Sequence, residues 1–246
     1  MPVQDDERER ELVRMFNLDW DPSHQRAGVD ALLKMEIGAK RYAFEVEVKS
    51  STGPTVSTAR DVGMEHIEKW RRKLFVVGFY SRRSGRPELL RCLCLTPVDM
   101  EPWIASIENK ILPDHKIALL ASRRLEISDL FEVCGEQVTY SVEDAKVLHK
   151  QQWSAQQYER ARDVTVNGER RISRKNMLQI LQLRSRYIAE RGATLNNPHI
   201  TKAHLGAFSG TDREISDTAW ASRIRSIAKK FAKEYPEHPA TTSSRS

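Results

Sequence analysis

The chain has 246 residues, of which 39% are hydrophobic and 30% charged, a composition typical of a globular protein with one large domain or two modest ones. No apolar run approaches the roughly 18 residues that a membrane span needs, and the N-terminus is too acidic for a secretory signal. These features predict a cytoplasmic protein without a membrane partner.

The net charge of +6 is unevenly distributed along the chain. Residues 1–150 carry 23 Lys and Arg against 25 Asp and Glu, whereas residues 151–246 carry 17 against 9. The basic second part favours contact with a polyanion such as nucleic acid. Charge alone fits a basic surface without any partner equally well.

Hydrophobic patterns predict an α/β domain over residues 1–140, with a mixed sheet flanked by helices. The predicted elements are a helix over residues 5–16, a hairpin of strands over 29–37 and 41–49, a helix over 59–73, strands over 74–80 and 88–95, a helix over 97–110, and short elements over 117–121 and 130–134.

The second part of the chain is predicted to be mostly helical. Helices are expected over residues 142–162, 173–191 and 201–208, followed by a long helix from Ser216 to about Tyr235. Because Arg and Lys are dense here, residues 141–235 are expected to form a basic helical DNA-binding region. The Pro- and Ser-containing segment 236–246 is predicted to be a disordered tail.

The strand RYAFEVEVK, residues 41–49, carries charged side chains on one face. Alternate residues of a strand share a face, so Glu45, Glu47 and Lys49 point away from the apolar residues between them. Burying two carboxylates and an ammonium group without partners is costly. This face is therefore either solvated or a functional site.

Asp30, at the start of the preceding strand, supplies a partner for this face. Antiparallel pairing can bring it beside Glu47 and Lys49. Two converging carboxylates make a hard oxygen site suited to Mg²⁺, and a lysine beside them could hold a water molecule and stabilise charge on a phosphorus atom under attack. The hairpin thus predicts metal-assisted phosphodiester hydrolysis.

Asp30 followed by Glu47-Val48-Lys49, with a glutamate on the preceding helix, resembles the PD-(D/E)XK nuclease superfamily, which includes many type II restriction endonucleases and Holliday-junction resolvases. The resemblance implies a restriction-endonuclease-like core. It implies that Asp30 and Glu47 bind the metal ion together with the backbone carbonyl of Val48. It also implies that Lys49 positions the nucleophilic water.

The resemblance covers roughly residues 5–95 and extends to the N-terminal helix. Glu11, or alternatively Glu9, matches the helix glutamate that completes the metal site in some members. One residue departs from the motif, since Val29 stands where proline usually precedes the aspartate.

A second Glu-x-Lys triplet, Glu108-Asn109-Lys110, shows how little the triplet itself proves. It falls in the helix predicted after Pro97, where solvated surface is the expected role. The strand and the upstream acids distinguish the first triplet from the second.

Residues 200–235 can be interpreted as a helix-turn-helix, with a turn at Ser209-Gly210-Thr211 and a cap at Ser216 or Asp217. A plain helical bundle with a charged outer face fits the same pattern. The predicted DNA-binding residues here and in a second basic cluster are Arg170, Arg171, Arg174, Lys175, Arg223, Arg225, Lys229 and Lys230.

These features together predict an endonuclease that cuts double-stranded DNA with Mg²⁺, for which Mn²⁺ can substitute. The resemblance favours a type II restriction endonuclease, and a homodimer is expected because two strands need two cuts. Two alternatives remain open: a structure-specific or repair nuclease such as a Holliday-junction resolvase, and a non-catalytic helix-turn-helix regulator.

Overall fold

The computed structural model describes residues 3–20, 30–81 and 87–241, with the backbone alone for residues 3–6. The helices and strands, in chain order, are α1 (Val3–Met15), β1 (Ala31–Ile37), β2 (Lys40–Ser51), β3 (Val56–Ser57), α2 (Met64–Trp70), β4 (Leu74–Tyr80), β5 (Leu89–Leu95), α3 (Pro97–Arg123), α4 (Ile127–Cys134), β6 (Thr139–Tyr140), α5 (Val142–His149), α6 (Ala155–Ala161), β7 (Val164–Val166), β8 (Glu169–Ser173), α7 (Arg174–Gly192), β9 (His199–Ile200), α8 (Lys202–Gly206), β10 (Glu214–Ile215) and α9 (Trp220–Glu234).

The main sheet has five strands in the order β1-β2-β4-β5-β10. Strands β2 and β4 are parallel, and the other neighbouring strands are antiparallel. Helices accompany this mixed sheet, so the predicted α/β class is confirmed. Among the described residues, no helix is long and apolar enough to cross a membrane.

Strand β2 places its alternate residues on opposite faces, as its sequence predicts. Phe44, Val46 and Val48 are at most 1% exposed and belong to the main hydrophobic core. Helix α1 contributes Leu12 to this core, and α9 contributes Phe231. Both ends of the chain are therefore needed to cover one face of the sheet.

Helix α1 lies close to the sheet at Gly78 in β4. A Cβ atom at this position would lie 2.8 Å from both terminal methyl carbons of Leu12, a distance that real Cβ contacts essentially never show. The missing side chain thus allows the close approach of helix and strand. This approach fixes the height of α1 above the sheet.

The contacts divide the chain into two compact units, and the division is not at the predicted boundary of residue 140. Unit 1 contains residues 1–109 and 195–246, and unit 2 contains residues 110–194. Residues 195–241 belong with unit 1 because β10 pairs with β5 and the apolar side of α9 is in the main core. Unit 2 is thus an insertion within unit 1, and α3 runs across the boundary.

Several helix boundaries differ from the sequence prediction. Helix α3 continues to Arg123, so the short element predicted over 117–121 is part of this helix. Helix α2 is shorter than residues 59–73, because Val62 forms a β-bridge with Leu195 before the helix begins. The helix predicted over 142–162 is two helices, since Lys150 and Gln151 adopt left-handed backbone conformations with φ of 55° and 56°.

The helix-turn-helix predicted over residues 200–235 is wrong. Between α8 and α9 the chain forms β10, whose Ile215 pairs with Cys92 in the main sheet. Helix α9 begins at Trp220 with Ala219 as its N-cap residue, and Asp217 accepts the N–H of Ala219 instead of capping the helix. The two helices are therefore separated by a strand and not by a tight turn.

The predicted disorder of the tail is also wrong for residues 236–241. This segment contains a 3₁₀ turn, Pro239–Thr241, and the hydroxyl of Thr241 donates to the carbonyl oxygens at the end of α9 and just after it. Thr241 is buried, at 4% exposure. Residues 242–246 lie outside the described residues.

Candidate active site

The hairpin of β1 and β2 brings Asp30 beside the Glu47 triplet, as predicted. Ala31 pairs with Val46, which puts Asp30 one position further along and level with Glu47. The Asp30 carboxylate accepts the backbone N–H of Val48 at 3.0 Å and the Lys49 ammonium at 3.3 Å. Residues 17 to 19 positions apart in sequence thus meet at one end of the hairpin.

The Lys49 ammonium lies between two carboxylates. Its Nζ is 2.9 Å from Oε1 of Glu47 and 3.3 Å from Oδ2 of Asp30. The three side chains are 9–20% exposed, so the charged face of β2 is not a solvated surface. The alternative interpretation of this face, a solvated strand, is therefore wrong.

Sequence reasoning missed Lys73, which completes the environment of Glu47. Its Nζ lies 2.6 Å from Oε2 of Glu47, and the side chain is only 6% exposed. The lysine immediately precedes the apolar run of β4, and alternation along that strand places it on the same face as Phe75, which is aligned with Glu47. The sequence signal for Lys73 is its position one step before the buried strand β4, where it extends the alternating pattern of that strand.

The charges at the site hold one another in their ionised forms. Burial by itself raises the pKa of the Glu47 carboxyl, but the ammonium groups of Lys49 and Lys73 outweigh this effect and lower the pKa to about 2. Burial lowers the pKa of Lys49, whereas the carboxylates of Glu47 and Asp30 and the charge of Glu9 raise it further, so the net shift is upward. Lys49 is therefore a cation at neutral pH and not a general base.

The two glutamates considered on α1 have different partners. Glu9 acts electrostatically on Lys49. Glu11 accepts a hydrogen bond from the hydroxyl of Tyr80 at 3.2 Å. Residues two apart on a helix are separated by about 200° around its axis, so the two carboxylates face different surroundings. The charge of Glu9 therefore reaches the lysine of the site.

Two further polar groups lie near these residues, and nothing in their sequence spacing marks them. Burial and the charge of Lys69 lower the pKa of His66, on which the charges of Glu47 and Lys73 also act. The hydroxyl of Ser50, the next residue of β2 after Lys49, is buried and has no hydrogen-bond partner among the described residues.

The oxygen atoms of the site fit a hard cation. Asp30 and Glu47 already converge on one positively charged group, the Lys49 ammonium. The N–H and C=O of one strand residue point to the same side, so the Val48 carbonyl faces the edge where its N–H meets Asp30. Mg²⁺ commonly binds one or two carboxylates and keeps several waters.

The described part of the chain offers no larger acidic site. Within residues 7–20, 30–81 and 87–241, no group of three or more His, Cys, Asp or Glu side chains is placed to hold a metal ion. The side chains of the candidate site therefore provide two carboxylates, and a third protein ligand would come from the backbone.

No protein-family model, curated protein or solved structure matches this chain. The resemblance to the PD-(D/E)XK superfamily therefore depends on the residues of the site and on the helix and hairpin that carry them.

The predicted DNA-binding residues fall into both units. In unit 1, Arg223 and Lys229 are exposed on α9, and Lys230 pairs with Asp212. Arg225 donates to the backbone carbonyls of Phe16 and Asn17, so it fixes the end of α1. This arginine has a structural role that its sequence context does not reveal.

In unit 2, two of the predicted arginines are held by the backbone. Arg171 donates to the hydroxyl and carbonyl of Thr139, and Arg174 donates to the carbonyl of Gln137. Arg170 and Lys175 are exposed. The predicted cluster is thus partly a support for the backbone, since Arg170 also donates to the carbonyl of Arg162, and partly exposed basic surface.

Proposed function

We propose that this protein is a Mg²⁺-dependent endonuclease that hydrolyses phosphodiester bonds in double-stranded DNA. The observation that carries the proposal is the convergence of Asp30, Glu47 and Lys49 in a largely buried cluster at the end of one hairpin. Burying such charges costs several kcal/mol per ion before pairing compensates for it, so a purely structural role is an expensive use of them.

Each residue has a role that follows from its geometry. The carboxylates of Asp30 and Glu47, with the carbonyl of Val48, would hold the metal ion, which when bound polarises the phosphate and lowers the pKa of water. The low pKa of Glu47 keeps this carboxylate ionised at neutral pH.

Lys49 remains protonated, so it acts as a fixed positive charge and hydrogen-bond donor. In that form it can orient an attacking water molecule and stabilise the negative charge that grows on the phosphate oxygens. Lys73 holds the second oxygen of Glu47 and thereby fixes the orientation of the carboxylate.

The proposal is tested by incubating the purified protein with supercoiled plasmid and Mg²⁺. We expect nicking or cutting by the wild-type protein and no cleavage by Asp30→Ala or Glu47→Ala. Glu108→Ala is the matched control, because Glu108 belongs to the Glu-x-Lys triplet in helix α3, and it should cleave like wild type. Circular dichroism shows whether each variant is folded. Full activity of a folded Glu47→Ala protein would overturn the proposal.

We propose restriction of foreign DNA as the biological role, which follows from the resemblance to type II restriction endonucleases. Comparison of linear, supercoiled and branched substrates distinguishes the alternatives. Discrete fragments from linear duplex favour restriction, and cleavage at branches alone favours a resolvase. Sequence-specific binding without Mg²⁺-dependent cleavage favours a regulator.

A further inference from the structure

Unit 2 contains a helix-turn-helix followed by a β-hairpin, at a place that the sequence prediction did not indicate. Its elements follow the order α4, β6, α5, α6, β7, β8, α7. The three strands form a separate sheet in the order β6-β8-β7. Strand β6 thus joins the hairpin from a position before the two helices, which is the arrangement of a winged helix-turn-helix.

A short turn joins the two helices of this motif. Helix α5 ends where Lys150 adopts a left-handed conformation, and α6 begins after Ser154, whose hydroxyl accepts the N–H of Gln157. The side chain of Gln157 accepts the N–H of Ser154 in return. The left-handed residue and the capping box bound a connection of five residues, 150–154, one longer than the three or four typical of helix-turn-helix motifs.

The inner side of α6 is anchored in the core of unit 2. Tyr158 is 2% exposed and packs in a cluster with Ala145 of α5 and Ile172 of β8. Trp153, just before the helix, lies against Tyr158 with ring centroids 5.4 Å apart. The helix is therefore fixed to the sheet and to its partner helix by one face.

The outer side of α6 is exposed and carries side chains without structural partners. Gln156 and Arg160 are one helical turn apart and share this side. Within the part of the chain that the structure describes, neither side chain has a hydrogen bond or ion pair. They contrast with Arg171 and Arg174 of the same unit, which are bound to backbone carbonyls.

The hairpin of β7 and β8 projects a second exposed group. Asn167 and Gly168 connect its strands, and both have positive φ, 53° and 82°, as a tight two-residue turn requires. Thr165 pairs with Arg170, and both are exposed. The guanidinium of Arg170 donates to the carbonyl of Arg162 at the end of α6, which links the hairpin to the helix.

The charge of this part of the chain matches a polyanion. The segment from α5 to α7, residues 142–192, carries 11 Lys and Arg against six Asp and Glu. Duplex DNA attracts such a surface through its phosphates, and its major groove is about 12 Å wide, which admits one α-helix. Arg contacts guanine edges and Gln contacts adenine edges with paired hydrogen bonds, so these two residue types suit direct reading of bases.

We propose that unit 2 is the DNA-reading module of this protein. In this arrangement α6 enters the major groove with Gln156 and Arg160 towards the bases, and the β7–β8 hairpin contacts the neighbouring phosphates through Arg170. The inference deepens the proposed nuclease function and rests on it for the choice of duplex DNA as the ligand.

The test measures binding without cleavage, in the full-length chain with EDTA present. A library of randomised duplexes is selected for binding to the Glu47→Gln protein, and the enriched duplex is then used in fluorescence anisotropy. We expect Arg160→Ala to weaken binding to this duplex about tenfold and to relax the preference at one base pair. Arg170→Ala should weaken binding to all duplexes similarly and reduce its salt dependence.

Lys40→Ala, at the start of β2, is the matched control, because it removes one exposed positive charge from unit 1. This variant should bind like the parent protein. Unchanged binding by Gln156→Ala/Arg160→Ala, with the fold verified by thermal unfolding, overturns the inference, as does tighter binding to an RNA duplex of the same sequence. Because EDTA prevents cleavage, a failure of the nuclease proposal leaves a different signature: intact sequence-specific binding with no cutting in Mg²⁺.

Discussion

The two Glu-x-Lys triplets of this chain, at residues 47–49 and 108–110, have the same residue types at the same spacing but opposite structural settings. In strand β2, residues two apart share a face, so Glu47 and Lys49 form a direct ion pair of 2.9 Å. In helix α3, residues two apart are separated by about 200°, so Glu108 and Lys110 face different directions.

The partners of the two glutamates differ as much as their backbones do. Glu47 is held by two largely buried lysines, whereas Glu108 pairs with the more exposed guanidinium of Arg71 at 2.7 Å. Both pairings lower a carboxyl pKa. Both also bring a second carboxylate to one cation, Asp30 to Lys49 and Glu101 to Arg71, but only the first cluster is largely buried. Backbone conformation and desolvation, and not the triplet itself, therefore make a site.

The largest expected effect is on cleavage in Lys49→Met. Removing the ammonium takes away a charge that acts on the phosphate, and we expect a loss of about 10²–10³-fold in cleavage rate. Mg²⁺ binding, measured by calorimetry, should be retained or strengthened, because the two carboxylates no longer share their oxygens with Lys49.

Lys110→Met is the control for this variant, since Lys110 is exposed in the second triplet. It should cleave at the wild-type rate. Loss of Mg²⁺ binding in Lys49→Met would show that the lysine supports the carboxylates and not the reaction.

The next largest effect is on the free energy of unfolding, to which Glu47 makes a pH-dependent contribution. Its pKa is lowered in the folded protein, so its stabilising contribution is present above the unfolded value of about 4.5 and is lost as the pH falls towards 2. In EDTA, Glu47→Gln should lower the free energy of unfolding by about 3 kcal/mol at pH 7. Denaturant titrations should show this difference shrinking between pH 4.5 and 2.

Glu108→Gln provides the comparison, because its partner Arg71 is one-third exposed. We expect Glu108→Gln to lower the free energy of unfolding by less than about 1 kcal/mol at pH 7. Equal losses in the two variants would remove the distinction between the triplets.

A smaller effect is expected from Lys73→Met. This change leaves one oxygen of the buried Glu47 carboxylate without its ammonium donor, and we expect the free energy of unfolding to fall by on the order of 2 kcal/mol. Arg71→Met removes the corresponding partner of Glu108 and should cost about 1 kcal/mol or less. A larger loss in Arg71→Met than in Lys73→Met would contradict the assignment of Glu47 as the more strongly desolvated acid.

The smallest effect distinguishes the two acids of α1. Glu9→Gln removes a charge that acts on Lys49 and should change the cleavage rate about fivefold or less. Glu11→Gln keeps a side-chain oxygen that can accept the hydrogen bond from the Tyr80 hydroxyl, so we expect the cleavage rate to be unchanged. The reverse result would assign the helix glutamate of the metal site to Glu11.

The local parts of the fold and of the site were predictable from sequence. The alternation of β2, the hairpin with Asp30 and the apolar run of β4 are properties of short segments, and each is present in the structure. Lys73 was not predictable in the same way, because its partner Glu47 lies on a strand brought alongside by parallel pairing, 26 residues away.

The helical part of the chain shows a different limit. An amphipathic pattern shows that α9 has an apolar side, but it does not indicate which hydrophobic core that side packs into. Strand β10 has two residues, too few for any alternation to be visible. Helices α5 and α6 are separated because Lys150 and Gln151 adopt left-handed backbone conformations. Lysine and glutamine rarely adopt this conformation, so the sequence does not indicate the break. The sequence therefore predicted a helix-turn-helix between α8 and α9, where the structure has a strand.

The insertion of unit 2 within unit 1 also has a consequence for the order of events during synthesis. The main core needs Ile224 and Phe231 of α9, so a nascent chain that has passed Asn109 still exposes one apolar face of its sheet. Unit 2, which is contiguous in sequence, is complete before those residues leave the ribosome. The candidate site on β2 thus gains the support of the complete core only after the inserted unit has been made, and a chain interrupted at residue 194 would leave one face of the sheet uncovered.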